Sequence, residues 1–76
     1  MSPRLPRITA SQVVRALQRA GWEVKRQDGS HVQLKHPDQP GLVTVAFHPG
    51  TIIKPGTLTG ILHQASLTVE ELMELL

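Results

Sequence analysis

Residues 21–35 have the sequence GWEVKRQDGSHVQLK, which predicts a β-hairpin directly after a helix. The two strands are predicted over residues 22–26 and 30–35. Residues 27–29 form the connecting loop, in which Gly29 takes the left-handed conformation that glycine adopts most readily. The hairpin makes a sheet the central element of the expected fold.

The alternation of side chains sets the expected register of this hairpin. Asp-Gly alone suggests a two-residue turn, but that turn would place Val24 and Gln33 on the same face. A three-residue loop separates apolar from polar side chains, and a one-residue slip would reverse every one of them. It predicts the pairs Trp22–Leu34, Val24–Val32, Lys25–His31 and Glu23–Gln33. Lys35 then lies on the same polar face.

A well-marked helix precedes the hairpin. Thr9 is a natural N-cap, and Gln12 three residues later completes a capping box. The apolar residues that follow recur at helical spacing: Val13, Leu17 and Ala20. Gly21 is predicted to end the helix as a left-handed cap, so that Trp22 folds back onto Leu17 in a Schellman motif.

Further elements follow the hairpin. Residues 36–41 (HPDQPG) are predicted to form a turn, and residues 42–47 a third strand that places His48 on the same open face as His31. A second helix is predicted to start near Thr57. It should bury Leu58, Ile61, Leu62 and Ala65. A second capping box, Thr68 with Glu71, opens a short last helix.

This order predicts an α+β fold in a single domain, residues 1–76. The expected arrangement is α-β-β-β-α with a short extra C-terminal helix. A three-stranded antiparallel sheet carries the helices on one face, as in double-stranded-RNA-binding domains. Trp22 should be buried and His31 exposed on the opposite face.

Charge and composition narrow the function classes. All eight Lys and Arg residues precede residue 55, whereas three of the six acidic residues lie in the last seven positions. The basic residues in the first part of the chain suggest a polyanionic partner. The alternative is that they form an ordinary solvated surface. The chain has no cysteine, which excludes disulfides and thiolate metal sites. Without an apolar signal segment or membrane span, a soluble cytoplasmic protein is expected.

The strongest candidate for chemistry is His31 in the segment Gly29-Ser30-His31. RNA cleavage without a metal needs a base for the 2′-hydroxyl proton, a cation for the charged phosphorane and an acid for the leaving oxygen. An imidazole suits either proton-transfer role near neutral pH. The alternative is an exposed strand histidine without a role. The candidate RNA-binding residues around it are Lys25, Ser30, Gln33, Lys35, His48 and Lys54.

Two of these residues have particular alternatives. His48 can serve as a second acid or as a phosphate contact, or it can simply belong to the turn at Pro49. Lys54 precedes a predicted helix start, where free backbone N–H groups bind phosphate, or it is a plain N-cap.

Metal and stacking sites are not expected. The spacings from His31 to the other histidines match no standard ligand pattern, and His36 and His63 are interpreted as surface residues. The chain has no Tyr, one Phe and one Trp, and both aromatics are expected in the core. Recognition of RNA should therefore depend on phosphates, 2′-hydroxyls and shape.

The chain resembles the HicA (YcfA-like) mRNA interferase toxins from about Thr9 to its end. The matching stretches lie at residues 16–22, 27–31, 43–48 and 54–65. In them the shared residues are ALxxAGW, QDGSH, VTVAFH and KPGTLxxILxQA. The resemblance implies a fold like the double-stranded-RNA-binding domain, a catalytic His31 and cleavage of mRNA. It also implies a HicB antitoxin that covers the active face. Ala46 stands where the family usually has proline.

We therefore expect a toxin endoribonuclease that needs no metal or cofactor, with His31 as general acid or base. Its partners would be mRNA and a HicB-type antitoxin, in a homodimer or a toxin–antitoxin hetero-oligomer, and no membrane. The alternatives are a non-catalytic RNA-binding module and an interaction protein with a basic face.

Overall fold

Three antiparallel strands and three helices make up the part of the chain that the computed structural model describes, residues 4–76. The elements in order are α1 (Ala10–Arg19), β1 (Glu23–Asp28), β2 (His31–His36), β3 (Gln39–Ala46), α2 (Pro55–Ala65) and α3 (Val69–Leu75). The strands form one sheet in the order β1-β2-β3. The predicted α+β class and element order are confirmed, and the arrangement is that of the double-stranded-RNA-binding domain.

Local hydrogen bonds define both ends of α1 as predicted. The Thr9 N–H donates to the Gln12 side chain at 2.9 Å, and the Gln12 N–H donates to the Thr9 hydroxyl at 3.4 Å. At the other end Gly21 has φ +98°, and the Trp22 N–H donates to the Leu17 carbonyl at 3.0 Å. This is the Schellman motif, and it turns the chain directly into β1.

The hairpin between β1 and β2 has a shorter loop than predicted. Asp28 pairs with His31, so that only Gly29 and Ser30 connect the strands. Gly29 has φ +61°, which confirms its left-handed conformation. A glycine with positive φ at the first central position is what a type II′ hairpin turn requires.

A β-bulge at Lys25 compensates for the shorter loop. Arg26 pairs with Gln33, but Val24 pairs with Leu34, so one extra residue stands in β1 between these pairs. The predicted register, with Lys25 opposite His31, is therefore wrong. The bulge returns Val24 to the face of Leu34, which a two-residue loop without a bulge would not allow.

The second hairpin also differs from its prediction. Strand β2 continues to His36, which pairs with Gln39, and only Pro37 and Asp38 form the turn. The predicted turn over residues 36–41 is therefore mostly strand. Proline suits the first central position of a tight turn. The register of β2 and β3 shifts between the pair His36–Gln39 and the pair Leu34–Val43. Gly41 lies between these pairs in β3 and has φ +81°.

His36 is half-buried, so its interpretation as a surface residue is wrong. Its Nδ1 accepts the Asp38 N–H at 3.0 Å, which leaves the proton on Nε2 for the Ala20 carbonyl at 3.1 Å. Its ring meets the edge of the Trp22 ring with centroids 5.3 Å apart. His36 thus joins β2 to the end of α1. His63 is exposed, as predicted.

The core lies between the helices and one face of the sheet. Trp22 is 1% exposed, which confirms its predicted burial. From the strands the core takes Val32, Leu34, Val43 and Val45; from α2 it takes Leu58, Ile61, Leu62 and Ala65, as predicted. Helix α2 starts two residues before its predicted start. The Thr68–Glu71 capping box opens α3 as predicted.

Candidate functional site

His31, Gln33 and Lys35 alternate along β2 on the side of the sheet away from the helices, which we call the open face. His31 and Lys35 are exposed and Gln33 is half-buried, whereas the intervening Val32 and Leu34 are buried. Because side chains alternate between faces along a strand, the three polar residues share one surface. The predicted exposure of His31 on the face opposite Trp22 is confirmed.

His31 lies in the middle strand between Asp28 of β1 and Ala46 of β3, its two cross-strand partners. The Asp28 carboxylate is 3.8 Å from the Arg26 guanidinium. The sequence pattern did not predict that Asp28 and Arg26 lie near His31, because it assigned Asp28 to the loop and Arg26 to the end of a shorter strand. The signal that identifies them is the Gly-Ser turn, which extends β1 to Asp28.

Lys25 and Lys35 lie together at the other end of the open face. They line a shallow depression with Glu23, and the Lys25 ammonium is 3.0 Å from the Glu23 carboxylate. Lys35 is four residues along β2 from His31, a distance of about 13 Å at ~3.3 Å per residue. The two lysines therefore lie at a distance from His31, not beside it as predicted.

A cleft of about 320 Å³ brings His48 and Lys54 together. We call it the His48 cleft; its lining includes Ala46, His48, Ile52, Ile53, Lys54 and Thr57. Ala46 belongs both to the cleft wall and to the pair with His31, so the cleft adjoins the catalytic candidate. His48, Lys54 and His31 thus lie in one region, although they are separated in the sequence.

The segment between β3 and the cleft is held by the sheet. Strand β3 ends at Ala46, but the next residue continues the ladder, because the Phe47 N–H donates to the Ser30 carbonyl. Phe47 is half-buried against the core, and His48 is exposed. His48 therefore lies two residues after the end of β3. Ser30 is half-buried and contributes its carbonyl to this contact.

The comparison with protein families identifies the chain. A family model described as the HicA toxin of bacterial toxin-antitoxin matches residues 10–67. The chain belongs to the HicA toxin family. The match starts with α1 and ends before α3, so it includes the open face and the His48 cleft. A comparison with curated proteins found no match.

Membership in the HicA family makes this chain a toxin of a toxin–antitoxin system, whose partner is an antitoxin. The chain has two ion pairs among residues 4–76, Lys25–Glu23 and Arg26–Asp28, and both are exposed. Exposed pairs of this kind contribute about 0–1 kcal/mol, so they affect the surface charge more than the stability. Lys35 and Lys54 are not in an ion pair within this range and are available to an anion.

Within residues 4–76 of this HicA toxin, no group of three or more His, Asp or Glu side chains is placed to hold a metal ion. None of its described helices is long and apolar enough to span a membrane.

Proposed function

We propose that this HicA-family toxin is an endoribonuclease that cleaves mRNA without a metal ion, with His31 as its catalytic acid or base. The observation that carries the proposal is the placement of an exposed imidazole on the open face, one strand away from a cleft that contains His48 and Lys54. Family membership supports the toxin role. An mRNA substrate requires the toxin to act in the cytoplasm.

The proposed chemistry uses the RNA's own 2′-hydroxyl as the nucleophile. This oxygen attacks the adjacent phosphorus while a base removes its proton, and an acid protonates the departing 5′-oxygen. The products are a 2′,3′-cyclic phosphate and a 5′-hydroxyl end. His31 takes one proton-transfer role, and His48 is the candidate for the other. Lys54 stabilises the negative charge that develops on the phosphorane.

Binding of the RNA is proposed to depend on its backbone. Trp22 is buried and Phe47 is half-buried, so neither ring forms a stacking platform on the open face. Lys25, Lys35 and Lys54 would contact phosphates, while Ser30 and Gln33 supply hydrogen bonds close to His31. The proposed antitoxin is of the HicB type and covers the open face, which blocks access to His31. The toxin–antitoxin hetero-oligomer would then be the inactive form.

The proposal is tested by incubating purified protein with single-stranded RNA in EDTA. Wild type should produce 2′,3′-cyclic phosphate ends, and His31→Ala should be slower by about 10²–10⁴-fold, the usual cost of losing a general acid or base. His63→Ala is the matched control, because His63 is an exposed histidine of α2 outside the open face and the cleft. Circular dichroism should show that all three proteins are equally folded.

Three results would overturn the proposal. Cleavage by His31→Ala at the wild-type rate would remove His31 from the mechanism. Activity that is lost in EDTA and restored by Mg²⁺ would show that cleavage depends on a metal. If wild type shifts RNA in a gel without cutting it, the toxin is a non-catalytic RNA-binding module.

A further inference from the structure

We infer that the His48 cleft is a subsite for one unstacked nucleobase of the RNA, next to the bond that is cleaved. The inference deepens the proposed function and rests on it for the identity of the ligand as RNA. It adds base recognition to the proton-transfer role proposed for His48 and the phosphate contact proposed for Lys54.

The size and the walls of the cleft suit a base. Its volume of about 320 Å³ is at the small end of ligand pockets, which are roughly 300–1,000 Å³, so it admits one small flat group. Ala46, Ile52 and Ile53 supply apolar surface, and Ile52 is 40% exposed. A base that leaves the stack buries its flat faces against apolar side chains and hydrogen-bonds through its edge. Thr51 and Thr57 line the cleft and provide hydroxyls for that edge.

The charge of the cleft favours a nucleotide over a neutral or cationic ligand. No acidic side chain among residues 4–76 lines it, and Lys54 is in no ion pair within this range. Lys54 is also the N-cap of α2 and makes no side-chain capping bond there. Its ammonium is therefore available to the phosphate attached to the bound nucleotide.

The position of the cleft relates the base to the scissile bond. Ala46 lines the cleft and is the cross-strand partner of His31. Paired residues in an antiparallel sheet have Cα atoms about 4.5–5.5 Å apart. A nucleotide whose base lies in the cleft consequently has its sugar and phosphate close to the His31 imidazole. Base preference at one position beside the cleaved bond follows from this geometry.

The test is a nuclear magnetic resonance titration of the full chain carrying His31→Ala, which keeps the RNA intact. The probes are four tetraribonucleotides, one for each base, and an abasic tetramer with the same phosphates. At least one base-bearing probe should shift the Ile52 methyl and Thr57 amide signals clearly more than the abasic probe does. When Ile52→Ala is added, the affinity for that probe should fall by roughly tenfold, the usual effect of losing an apolar contact in a pocket.

Matched variants make the result specific. Val24 is 41% exposed and lies outside the cleft, so Val24→Ala should leave the affinity unchanged. Lys54→Gln should lower the affinity for the base-bearing and abasic probes alike. Arg15 is an exposed cation on α1, and Arg15→Gln should have less effect on both affinities.

Equal shifts from the abasic tetramer, or shifts confined to the open face, would overturn the inference. So would an unchanged affinity in Ile52→Ala. The readout is binding, so it separates this inference from the cleavage mechanism. If wild type fails to cut RNA but the base-dependent shifts occur, the subsite stands and the proposed function fails. If His31→Ala abolishes cleavage while Ile52→Ala behaves like Val24→Ala, the proposed function stands and the subsite fails.

Discussion

Replacing Gly21 with alanine perturbs the junction between α1 and the sheet. Gly21 has φ +98°, a backbone conformation that residues with a side chain rarely adopt. A Cβ added at Gly21 would lie 2.6 Å from Nε2 of His36. His36 cannot move away freely, because that nitrogen bonds the Ala20 carbonyl and the ring rests against Trp22. The substitution therefore combines backbone strain with the displacement of a structural histidine.

The expected cost follows from these contacts. A left-handed backbone costs a residue with a side chain about 1–2 kcal/mol. Loss of the His36 hydrogen bond adds ~0.5–1.5 kcal/mol. Loss of the aromatic contact adds ~0.5–1.5 kcal/mol. Gly21→Ala should thus reduce the free energy of unfolding by about 2–5 kcal/mol, which lowers the Tm by roughly 8–40 °C in a domain of this size.

Urea and thermal unfolding followed by circular dichroism measure this cost. Gly50→Ala is the control for strain alone, since Gly50 has φ +77° and no atom within 4 Å of an added Cβ. It should lose only about 1–2 kcal/mol. Combining Gly21→Ala with His36→Ala should cost less than the sum of the two single changes, because the crowding partner is gone. Equal losses for Gly21→Ala and Gly50→Ala, or strict additivity, would refute the reasoning.

Four further predictions concern stability and RNA binding. Thr68→Ala should destabilise the protein by about 1 kcal/mol in urea unfolding, because α3 loses its N-cap; an unchanged midpoint would contradict that role. RNA affinity should fall with salt at a log–log slope of roughly −2 to −3. Lys54→Gln should reduce that slope by about 0.7, and Lys25→Gln by less, since Glu23 already pairs with Lys25; equal reductions would argue against the difference. Asp28→Asn should tighten RNA binding by about fivefold, since removing a charge near a phosphate changes the energy by ~1 kcal/mol, and weaker binding in a gel shift would disprove this.

The features that the sequence predicted correctly are local ones. The capping box of Thr9 and Gln12 and the Schellman turn at Gly21 depend on hydrogen bonds that span three to five residues, so the relevant groups are visible in a short stretch of sequence. Alternation of apolar and polar residues in the same way predicted a buried Trp22 and an exposed His31. The catalytic candidate was therefore located without knowledge of the strand register.

The residues of the candidate site come together only in the folded chain. His48 and Lys54 meet because β3 and the start of α2 pack at the same corner, and Ala46 links that corner to His31. The sequence predicted His48 on the same face as His31, but it did not predict that Lys54 lies with His48, and it predicted Lys25 opposite His31. The structure places Asp28 opposite His31 and pairs Lys25 with Glu23.

What the sequence by itself determined is the order of elements, their caps and the face on which His31 lies, because each follows from contacts within one element or from the period of its side chains. Only the tertiary structure decided the register of the hairpin. A three-residue loop and a two-residue loop with a bulge at Lys25 both keep the face of Val24 apolar, so the pattern alone cannot separate them. Tertiary structure also decided the role of His36, whose partner at Ala20 is sixteen residues away. That contact exists because Gly21, having no side chain, leaves room for the imidazole against the end of α1.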